Sequence, residues 1–284
     1  MLRNITFLAV ANAAVKPAWF IFITAVCMRL LGTEGYGVLS TALALCLLVM
    51  SMSDLGTAEY SVREVARNHA RATSFFSNFL VVRFLASIVA FVCAVAVAVI
   101  LRYDATALLA VGFAGIYVAA LGLVSYCRAF FEAFQRLGTD AMSIAVEKVF
   151  VIAVGTTLLV ATRSAPWTLA GMALGMVLTL ALNVAWVSRR FAPFVRRAID
   201  RAFIREHLRS SIPFGIAGVL SIVYYRTDLV MIEAIRGVEE AGQYAVAFRI
   251  LEALSLLPFV VVQAAMYPRL AALFHGHERD AFST

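Results

Sequence analysis

Long apolar stretches alternate with short polar connections along almost the whole chain. A helix needs about 20 apolar residues to cross a bilayer, and eight stretches reach this length: 5–31, 38–60, 75–101, 106–134, 141–162, 167–188, 211–235 and 243–267. Transmembrane β-strands would give shorter segments of strict alternation, whereas residues 89–101 are apolar on every side. The pattern predicts an all-α polytopic membrane protein with eight transmembrane helices.

The composition agrees with this class, since 63% of the residues are hydrophobic and only 14% are charged. No small-residue cleavage site follows the first apolar stretch, so we expect an uncleaved first helix. All four cysteines lie within predicted spans and have the pattern of small core residues. His275 and His277 in the polar tail are too few ligands for a metal site. We therefore expect neither a metal nor any other cofactor.

Basic residues are concentrated on one side of the predicted helices. Of the 24 Lys and Arg residues, 15 lie in the ends and in alternate connections on one side, and three lie in the connections on the other. By the positive-inside rule, both ends of the chain are cytoplasmic. The net charge of +7 thus reflects topology, and we expect no nucleic acid partner. The predicted location is a bacterial inner membrane, crossed several times.

The longest predicted cytoplasmic connection, residues 189–210, combines aromatic residues at helical spacing with arginines at every fourth position. A basic amphipathic helix of this kind would lie at the membrane interface, with its arginines among anionic headgroups. The expected lipid contacts are Arg197, Arg201, Arg205 and Arg209. The alternative is a solvated charged loop that only sets the topology.

Two short passages resemble each other, one at residues 32–37 and one at 237–244. Each has a Gly-x-Glu turn followed by small residues and a Tyr, and both lie on the same predicted side. Parallel repeats in transporters preserve sidedness in this way. We therefore predict a first lobe over 1–188 with six helices, a linker helix over 189–210 and a partial second lobe over 211–284. A second lobe of two helices would be a truncated one, so we expect a fragment.

We single out nine ionisable side chains within the predicted spans. A charge at membrane depth is costly unless it faces a bundle interior or a water-filled cavity, so these residues indicate a transport pathway. They are Lys16, Asp54, Arg83, Glu147, Lys148, Arg226, Asp228, Arg249 and Glu252. Their depths predict a staggered polar path, with the first-lobe charges displaced towards the cytoplasm and the second-lobe charges away from it.

Several segments resemble one family of transporters. The segments are 29–37, with the sequence RLLGTEGYG, then 53–56, 226–230, 242–250 and 267–270. They are similar to the multidrug/oligosaccharidyl-lipid/polysaccharide (MOP) exporter superfamily, in particular its Wzx-type flippases. This resemblance implies two six-helix lobes around a central cavity, alternating access and a polyprenyl-diphosphate-linked oligosaccharide as substrate. The chain departs from the family by ending after its eighth helix, where twelve or more are usual.

The resemblance implies a role in O-antigen, capsule or exopolysaccharide biosynthesis, beside a polysaccharide polymerase and glycosyltransferases. Arginine and lysine suit a diphosphate because they bind it through charge-assisted hydrogen bonds. The candidate substrate ligands are Lys16, Arg83, Arg226 and Arg249. For each, the alternative is a structural ion pair within the bundle.

Intramembrane carboxylates can also couple transport to a proton or sodium gradient. The candidates are Asp54, Asp228, Glu147 and Glu252. Ion pairs of Glu147 with Lys148 and of Arg249 with Glu252 are the simpler interpretation for two of them. No catalytic motif is present, so we expect a transporter and not an enzyme. The alternatives are a multidrug or small-cation exporter of the same superfamily, a membrane-embedded glycosyltransferase or polymerase, and a truncated product without transport activity.

Overall fold

The structure, a computed structural model, describes residues 17–265, with side chains as far as residue 252. Lys16, the segment 267–270, His275 and His277 lie outside the described residues. Within them, a π-helical turn at Ile21–Val26 precedes eight α-helices and no strand is present. The helices are α1 (Cys27–Met50), α2 (Thr57–Arg67), α3 (Ala72–Ile100), α4 (Ala105–Ala133), α5 (Leu137–Thr162), α6 (Ala165–Arg190), α7 (Arg201–Arg236) and α8 (Val238–Ala265).

Six helical segments in the described part are long and apolar enough to cross a bilayer. They are Pro17–Ser53, His69–Ile100, Ala105–Ala133, Leu137–Thr162, Ala165–Arg190 and Arg201–Arg236. The predicted class, an all-α polytopic membrane protein, is confirmed. The segment Pro17–Ser53 contains two predicted spans, and Gly32 interrupts it with φ 72° and ψ −178°. The turn predicted between the first two spans therefore consists of a single non-helical residue, Gly32.

The second predicted span ends earlier than expected. Residues 38–60 were predicted as one helix, but α1 ends at Met50 and a 3-10 turn follows at Ser51–Ser53. Gly56 then has φ 67° before α2 begins at Thr57. This left-handed conformation suits glycine and breaks the helix between Asp54 and Gly56.

The predicted linker helix over 189–210 is also interrupted. α6 ends at Arg190, and residues 191–200 contain only a 3-10 turn at Arg196–Ala198. Pro193 lies in this segment, lacks a backbone donor and disfavours a helical residue before it. Asp200 then caps α7 by accepting a hydrogen bond from the Ala202 amide at 2.8 Å. The basic residues from Arg201 onward belong to the seventh helix itself.

The central element is α4, which contacts α1, α2, α3, α5 and α6. α7 contacts α1, α2 and α3. A buried aromatic cluster lies where α3 begins and α4 ends, and includes Phe75, Phe76, Phe79, Phe130 and Phe131. We call residues 51–71, 134–136 and 191–209 the arginine-rich end, and residues 32–37, 101–104, 163–164 and 237–242 the arginine-poor end.

The two similar passages contact each other at the arginine-poor end. Gly237 repeats the backbone of Gly32, with φ 96° and ψ 174°. A Cβ atom on Gly37 would lie 2.0 Å from the Val238 carbonyl oxygen, and one on Gly242 would lie 2.3 Å from the Thr33 carbonyl oxygen. Because these positions correspond in the two passages, the contact is reciprocal, as across a two-fold axis. The geometry supports the internal repeat.

The chain divides into two compact units between Gln243 and Tyr244. This division falls within α8 and does not coincide with the lobe boundaries inferred from the sequence. The lobes therefore stay a prediction.

Candidate functional site

A buried charge pair joins the break after α1 to α3. The Arg83 Nη1 atom lies 2.7 Å from Asp54 Oδ1, and the side chains are 3% and 38% exposed, respectively. Arg83 also donates to the Thr57 hydroxyl at 3.0 Å and to the Gly122 carbonyl at 3.0 Å. These partners satisfy most of the guanidinium group. The structural ion pair named above as the alternative is therefore present for Arg83, and Asp54 is its accessible member.

The ring of Tyr126, itself hydrogen-bonded to the backbone of α3, holds Arg83 in place. The guanidinium carbon of Arg83 lies 5.2 Å from the centroid of Tyr126, and the Tyr126 hydroxyl donates to the Phe75 carbonyl at 2.8 Å. A cation over an aromatic face gains electrostatic energy, which is larger when water is excluded. Arg83 is therefore oriented both by hydrogen bonds and by ring contact.

The position of Asp54 depends on close packing of the helix break against α7. The Ser211 hydroxyl donates to the Leu55 carbonyl at 2.8 Å. A Cβ atom on Gly56 would lie 2.3 Å from both the Ser211 carbonyl oxygen and the Gly215 amide nitrogen. Only glycine allows the two backbones to approach so closely. α7 therefore fixes the segment that carries Asp54.

A second charge pair lies on α5. Lys148 Nζ is 2.6 Å from Glu147 Oε1, and Glu147 is buried while Lys148 is 21% exposed. The ammonium nitrogen also lies 4.3 Å from the centroid of the Trp19 ring. Nearby on the same helix, the Ser143 hydroxyl donates to the Asn183 side-chain oxygen at 2.7 Å. The predicted pairing of Glu147 with Lys148 is confirmed.

The candidate residues on α7 and α8 are half-buried. Arg226 and Asp228 lie on α7 and are neither fully buried nor fully exposed. Asp228 Oδ1 accepts a hydrogen bond from the Leu229 amide at 2.8 Å. In the unit that begins at Tyr244, Arg249 Nη1 lies 2.8 Å from Glu252 Oε2. The predicted pairing of these last two residues is also confirmed.

Four of the candidate residues form two separate ion pairs. Asp54 and Arg83 meet across two elements, while Glu147 and Lys148 are neighbours in the sequence. The roles assigned to these residues from the sequence therefore stay predictions.

The sequence reasoning missed two buried polar contacts. Arg128 is not among the candidates named above, but it lies on α4 and its Nε atom is 2.6 Å from Asp140 Oδ1. Glu233, which lies within the predicted seventh span but was not singled out, accepts a hydrogen bond from the Tyr103 hydroxyl. Its position two residues inside the end of that span was the available signal.

The predicted lipid contacts lie at the arginine-rich end. All four side chains are exposed: Arg197, Arg201, Arg205 and Arg209. The segment before α7 is tied to α3, because Asn78 donates to the Ala198 carbonyl at 2.8 Å and accepts from the Asp200 amide at 2.7 Å. Contact of these arginines with lipid stays a prediction.

A buried histidine also joins α7 to the arginine-rich end. His207 stacks on Phe203 with ring centroids 4.2 Å apart. Its Nε2 atom lies 2.7 Å from Arg71 Nη2. Because an arginine nitrogen can only donate, this ring nitrogen is the acceptor in the contact.

Three solved structures share this fold. One is an inward-facing multidrug resistance transporter of the MATE family in the MOP superfamily, with a TM-score of 0.65 and 15% identity over 95% of this chain and 66% of that chain. An outward-facing multidrug resistance MATE transporter has a TM-score of 0.59 and 14% identity over 96% of this chain and 74% of that chain. This protein thus spans just under two thirds of the first structure and about three quarters of the second.

The third structure is a MOP superfamily transporter from Pyrococcus furiosus Vc1, for which the reverse polarity of the binding pocket suggests a different function. Its TM-score is 0.61 and its identity 13%, over 96% of this chain and 74% of that chain. The identities are low, so the likeness establishes the fold alone. A comparison with curated proteins gave no match.

The sequence matches one protein family along nearly all of its length. The family is described as polysaccharide biosynthesis protein, and the match covers residues 1–274. Together with the shared fold, this match confirms the resemblance inferred from the sequence motifs. This multi-pass membrane protein belongs to the polysaccharide biosynthesis protein family and has the fold of MOP superfamily transporters.

Proposed function

We propose that this protein flips a polyprenyl-diphosphate-linked oligosaccharide across the bacterial inner membrane during polysaccharide biosynthesis. The observation that carries the proposal is the family match over residues 1–274. The fold adds support, because the structures that share it are described as transporters. The transport step moves the substrate by alternating access and involves no covalent chemistry.

The buried polar contacts support a transport role. Charged groups are expensive at membrane depth and occur there mainly in functional or paired positions. Arg83 lies on a segment long enough to cross the bilayer, as do Glu147 and Lys148, and Asp54 directly follows another such segment. We propose that Lys16, Arg83, Arg226 and Arg249 are ligands of the diphosphate at successive points of the transport path. Arg83 becomes such a ligand when the substrate replaces Asp54 as its anionic partner.

The proposal can be tested in proteoliposomes that contain a fluorescent undecaprenyl-diphosphate-linked disaccharide. A membrane-impermeant reductant destroys only the label in the outer leaflet, so flipping increases the fraction that is destroyed. We expect Arg226→Glu and Arg249→Glu each to lower the flipping rate at least about tenfold, since each places an anion where the diphosphate would bind.

Arg236→Glu is the matched control, because Arg236 is exposed at the last residue of α7. This variant makes the same charge change on the same helix as Arg226→Glu and should flip the probe at the parent rate. Equal rates for the parent protein and for empty liposomes would contradict the proposed activity. Equal rates for the parent and both reversal variants would contradict the assigned ligands.

A specific observation favours a second candidate, export of small organic cations. In two of the three ion pairs of candidate residues described above, the more exposed member is the acid: Asp54 is 38% exposed against 3% for Arg83, and Glu252 is 37% exposed against 20% for Arg249. Accessible carboxylates suit a cationic substrate. Ethidium efflux from the same proteoliposomes, lost in Asp54→Asn and accompanied by no flipping of the lipid probe, would favour this function.

The proposal includes a location and partners. Both ends of the chain are cytoplasmic, the arginine-rich end contacts anionic lipids, and the protein works beside a polysaccharide polymerase and glycosyltransferases. Trypsin tests the sidedness, because Arg196 and Arg197 are exposed in the short 3-10 turn between α6 and α7. We expect cleavage there in inside-out vesicles and protection in intact spheroplasts.

A further inference from the structure

Three carboxylate side chains are buried in the described residues, and one of them differs from the other two. Asp140 forms an ion pair with Arg128, and Glu147 forms one with Lys148. Glu233 is 8% exposed and its partner is the neutral hydroxyl group of Tyr103. Within residues 17–252 no lysine or arginine lies within ion-pair distance of Glu233. This acid therefore lacks the cation that stabilises the other two.

The location of this contact links it to opening and closing of one end of the molecule. Tyr103 lies in the connection between α3 and α4, and Glu233 lies in the last turn of α7. The hydrogen bond thus joins the α3–α4 connection to a helix that follows about 130 residues later. Any movement of α7 away from α3 and α4 at the arginine-poor end must break this bond and expose Glu233 to water.

The chemistry of the pair makes this movement sensitive to protons. A buried carboxylate without a cation is costly, whereas its protonated form is neutral and still forms a hydrogen bond. In water the same group ionises readily at neutral pH. A proton on Glu233 therefore favours the closed contact, and loss of the proton favours the open one, because a ligand shifts an equilibrium towards the state that binds it more tightly.

The groups around Glu233 are consistent with this role. Burial, and next to it the hydrogen bond with Glu233, raise the pKa of Tyr103, so that this hydroxyl remains a donor at physiological pH. Cys46 on α1 is a further titratable group that raises the pKa of Tyr103 electrostatically. The neighbouring glycine turns meet through backbone atoms, which do not titrate. The other charged side chains of this end are exposed: Glu34, Arg102, Asp104, Arg163, Arg236, Glu239 and Glu240.

We propose that Glu233 is a proton-binding site and that its contact with Tyr103 is a latch that holds the arginine-poor end closed while the proton is bound. This site is distinct from the four coupling candidates found in the sequence. It deepens the proposed transport function by naming the ion and the place where it acts. The latch itself can be measured without any transported substrate, so that the two proposals can fail separately.

The test measures the distance across the latch in the full chain, reconstituted in lipid nanodiscs. Spin labels are attached at Thr106→Cys and Ile235→Cys, two exposed and uncharged positions on either side of the contact. Cys93 is the exposed native cysteine and is replaced by alanine, while Cys27, Cys46 and Cys127 are buried. Pulsed electron paramagnetic resonance then gives the ratio of open to closed molecules at each pH.

We expect the parent protein to be closed at about pH 5 and its open-to-closed ratio to rise at least about tenfold by about pH 8, because a tenfold difference in proton affinity between two states supports a change of that size. Glu233→Gln, which resembles the protonated form, should stay closed at both values. Tyr103→Phe should open further than the parent at the higher pH, since the carboxylate loses its donor. Glu240→Gln removes an exposed acid at the same end and should behave as the parent.

A parent protein with the same distances at both pH values would overturn the proposal, as would Glu233→Gln with the parent's pH response. A change produced by sodium at fixed pH, without a pH response, would overturn the proton as the ligand. If Glu233→Gln does not give a monodisperse protein, the parent titration and Tyr103→Phe decide the outcome. A pH-dependent latch in a protein that flips no lipid probe would contradict the proposed function and leave the latch in place.

Discussion

The two ends of the described bundle are held together in different ways. At the arginine-rich end, most of the contacts are made by side chains, namely Arg83 with Asp54, Arg71 with His207, and a cluster of phenylalanine rings, beside one close backbone approach at Gly56. At the arginine-poor end, the backbones of two glycine turns meet directly, and one hydrogen bond joins Tyr103 to Glu233. Side-chain contacts can break one at a time, whereas closely packed backbone turns separate as whole units.

This difference affects how each end would open. The arginine-rich end loses several favourable contacts in sequence, so partial opening is possible. At the arginine-poor end, the hydrogen bond between Tyr103 and Glu233 must break when the glycine turns separate. We therefore expect the arginine-poor end to switch between two states and the arginine-rich end to loosen gradually.

The largest expected effect is at the arginine-rich end, from removal of the accessible member of its buried pair. Asp54→Ala leaves Arg83 as an unpaired charge that is 3% exposed, and breaking a buried pair in this way costs about 3–5 kcal/mol. Arg83→Met should cost less, because the remaining Asp54 is 38% exposed and can be hydrated. Unfolding in mixed detergent micelles measures both. Equal losses would show that Arg83 is not isolated from water.

The next effect tests the reciprocal contact at the arginine-poor end. Gly37→Ala and Gly242→Ala each place a methyl group within 2.3 Å of a backbone oxygen of the other turn. Overpacking of this kind costs about 1–3 kcal/mol, and we expect similar losses for the two variants in the same unfolding assay. Gly112→Ala is the control, because no atom lies within 4 Å of its added Cβ. A loss in only one of the two variants would argue against the two-fold relationship.

A smaller effect concerns the segment before α7. Asn78→Ala removes both hydrogen bonds that tie residues 198 and 200 to α3. Leaving buried backbone groups without partners costs about 1 kcal/mol or more, so trypsin should cleave at Arg196 and Arg197 several times faster. Thr73→Ala on the same helix is the control and should be cleaved at the parent rate. Unchanged cleavage in Asn78→Ala would mean that other contacts hold the segment.

The smallest effect is expected for an exposed ion pair at the arginine-rich end. Arg67 Nη1 lies 3.4 Å from Glu64 Oε1, and the Arg67 side chain is 62% exposed. Exposed pairs of this type contribute about 0.2–1 kcal/mol, so Arg67→Ala should change the free energy of unfolding by less than about 1 kcal/mol. A larger loss would place Arg67 in a contact beyond this pair.

The sequence predicted the class and most helices, because length and hydropathy decide which segments cross a membrane. It also predicted the ion pairs between residues close in sequence, Glu147 with Lys148 and Arg249 with Glu252. The helix break at Gly56 was not predicted, since it depends on close approach to Gly215 on a distant helix. The segment 191–200 contains Pro193, which breaks the helix, but its position also depends on two hydrogen bonds with Asn78 on α3.

The candidate site was less predictable for the same reason. Arg83 lies in a predicted span and is buried, but its partners Asp54 and Gly122 become neighbours only when α3 packs against other elements, and its role as a substrate ligand stays a prediction. Glu233 was overlooked because its burial against Tyr103 depends on a contact between segments far apart in sequence. The spacing of hydrophobic residues shows which face of a helix is buried. It does not show which residue of another element lies opposite that face, and these contacts depend on that residue.

The matching glycine turns also constrain how this chain can change over generations. A duplication of one ancestral half-chain, whose two copies associated symmetrically, would produce the contact in which Gly37 meets Val238 and Gly242 meets Thr33. After such a fusion the two copies would mutate independently, but the backbone of each turn would still limit the size of the side chains in the other. Added bulk in one turn is tolerated only with a matching loss in the other, so we expect these positions to vary as a pair.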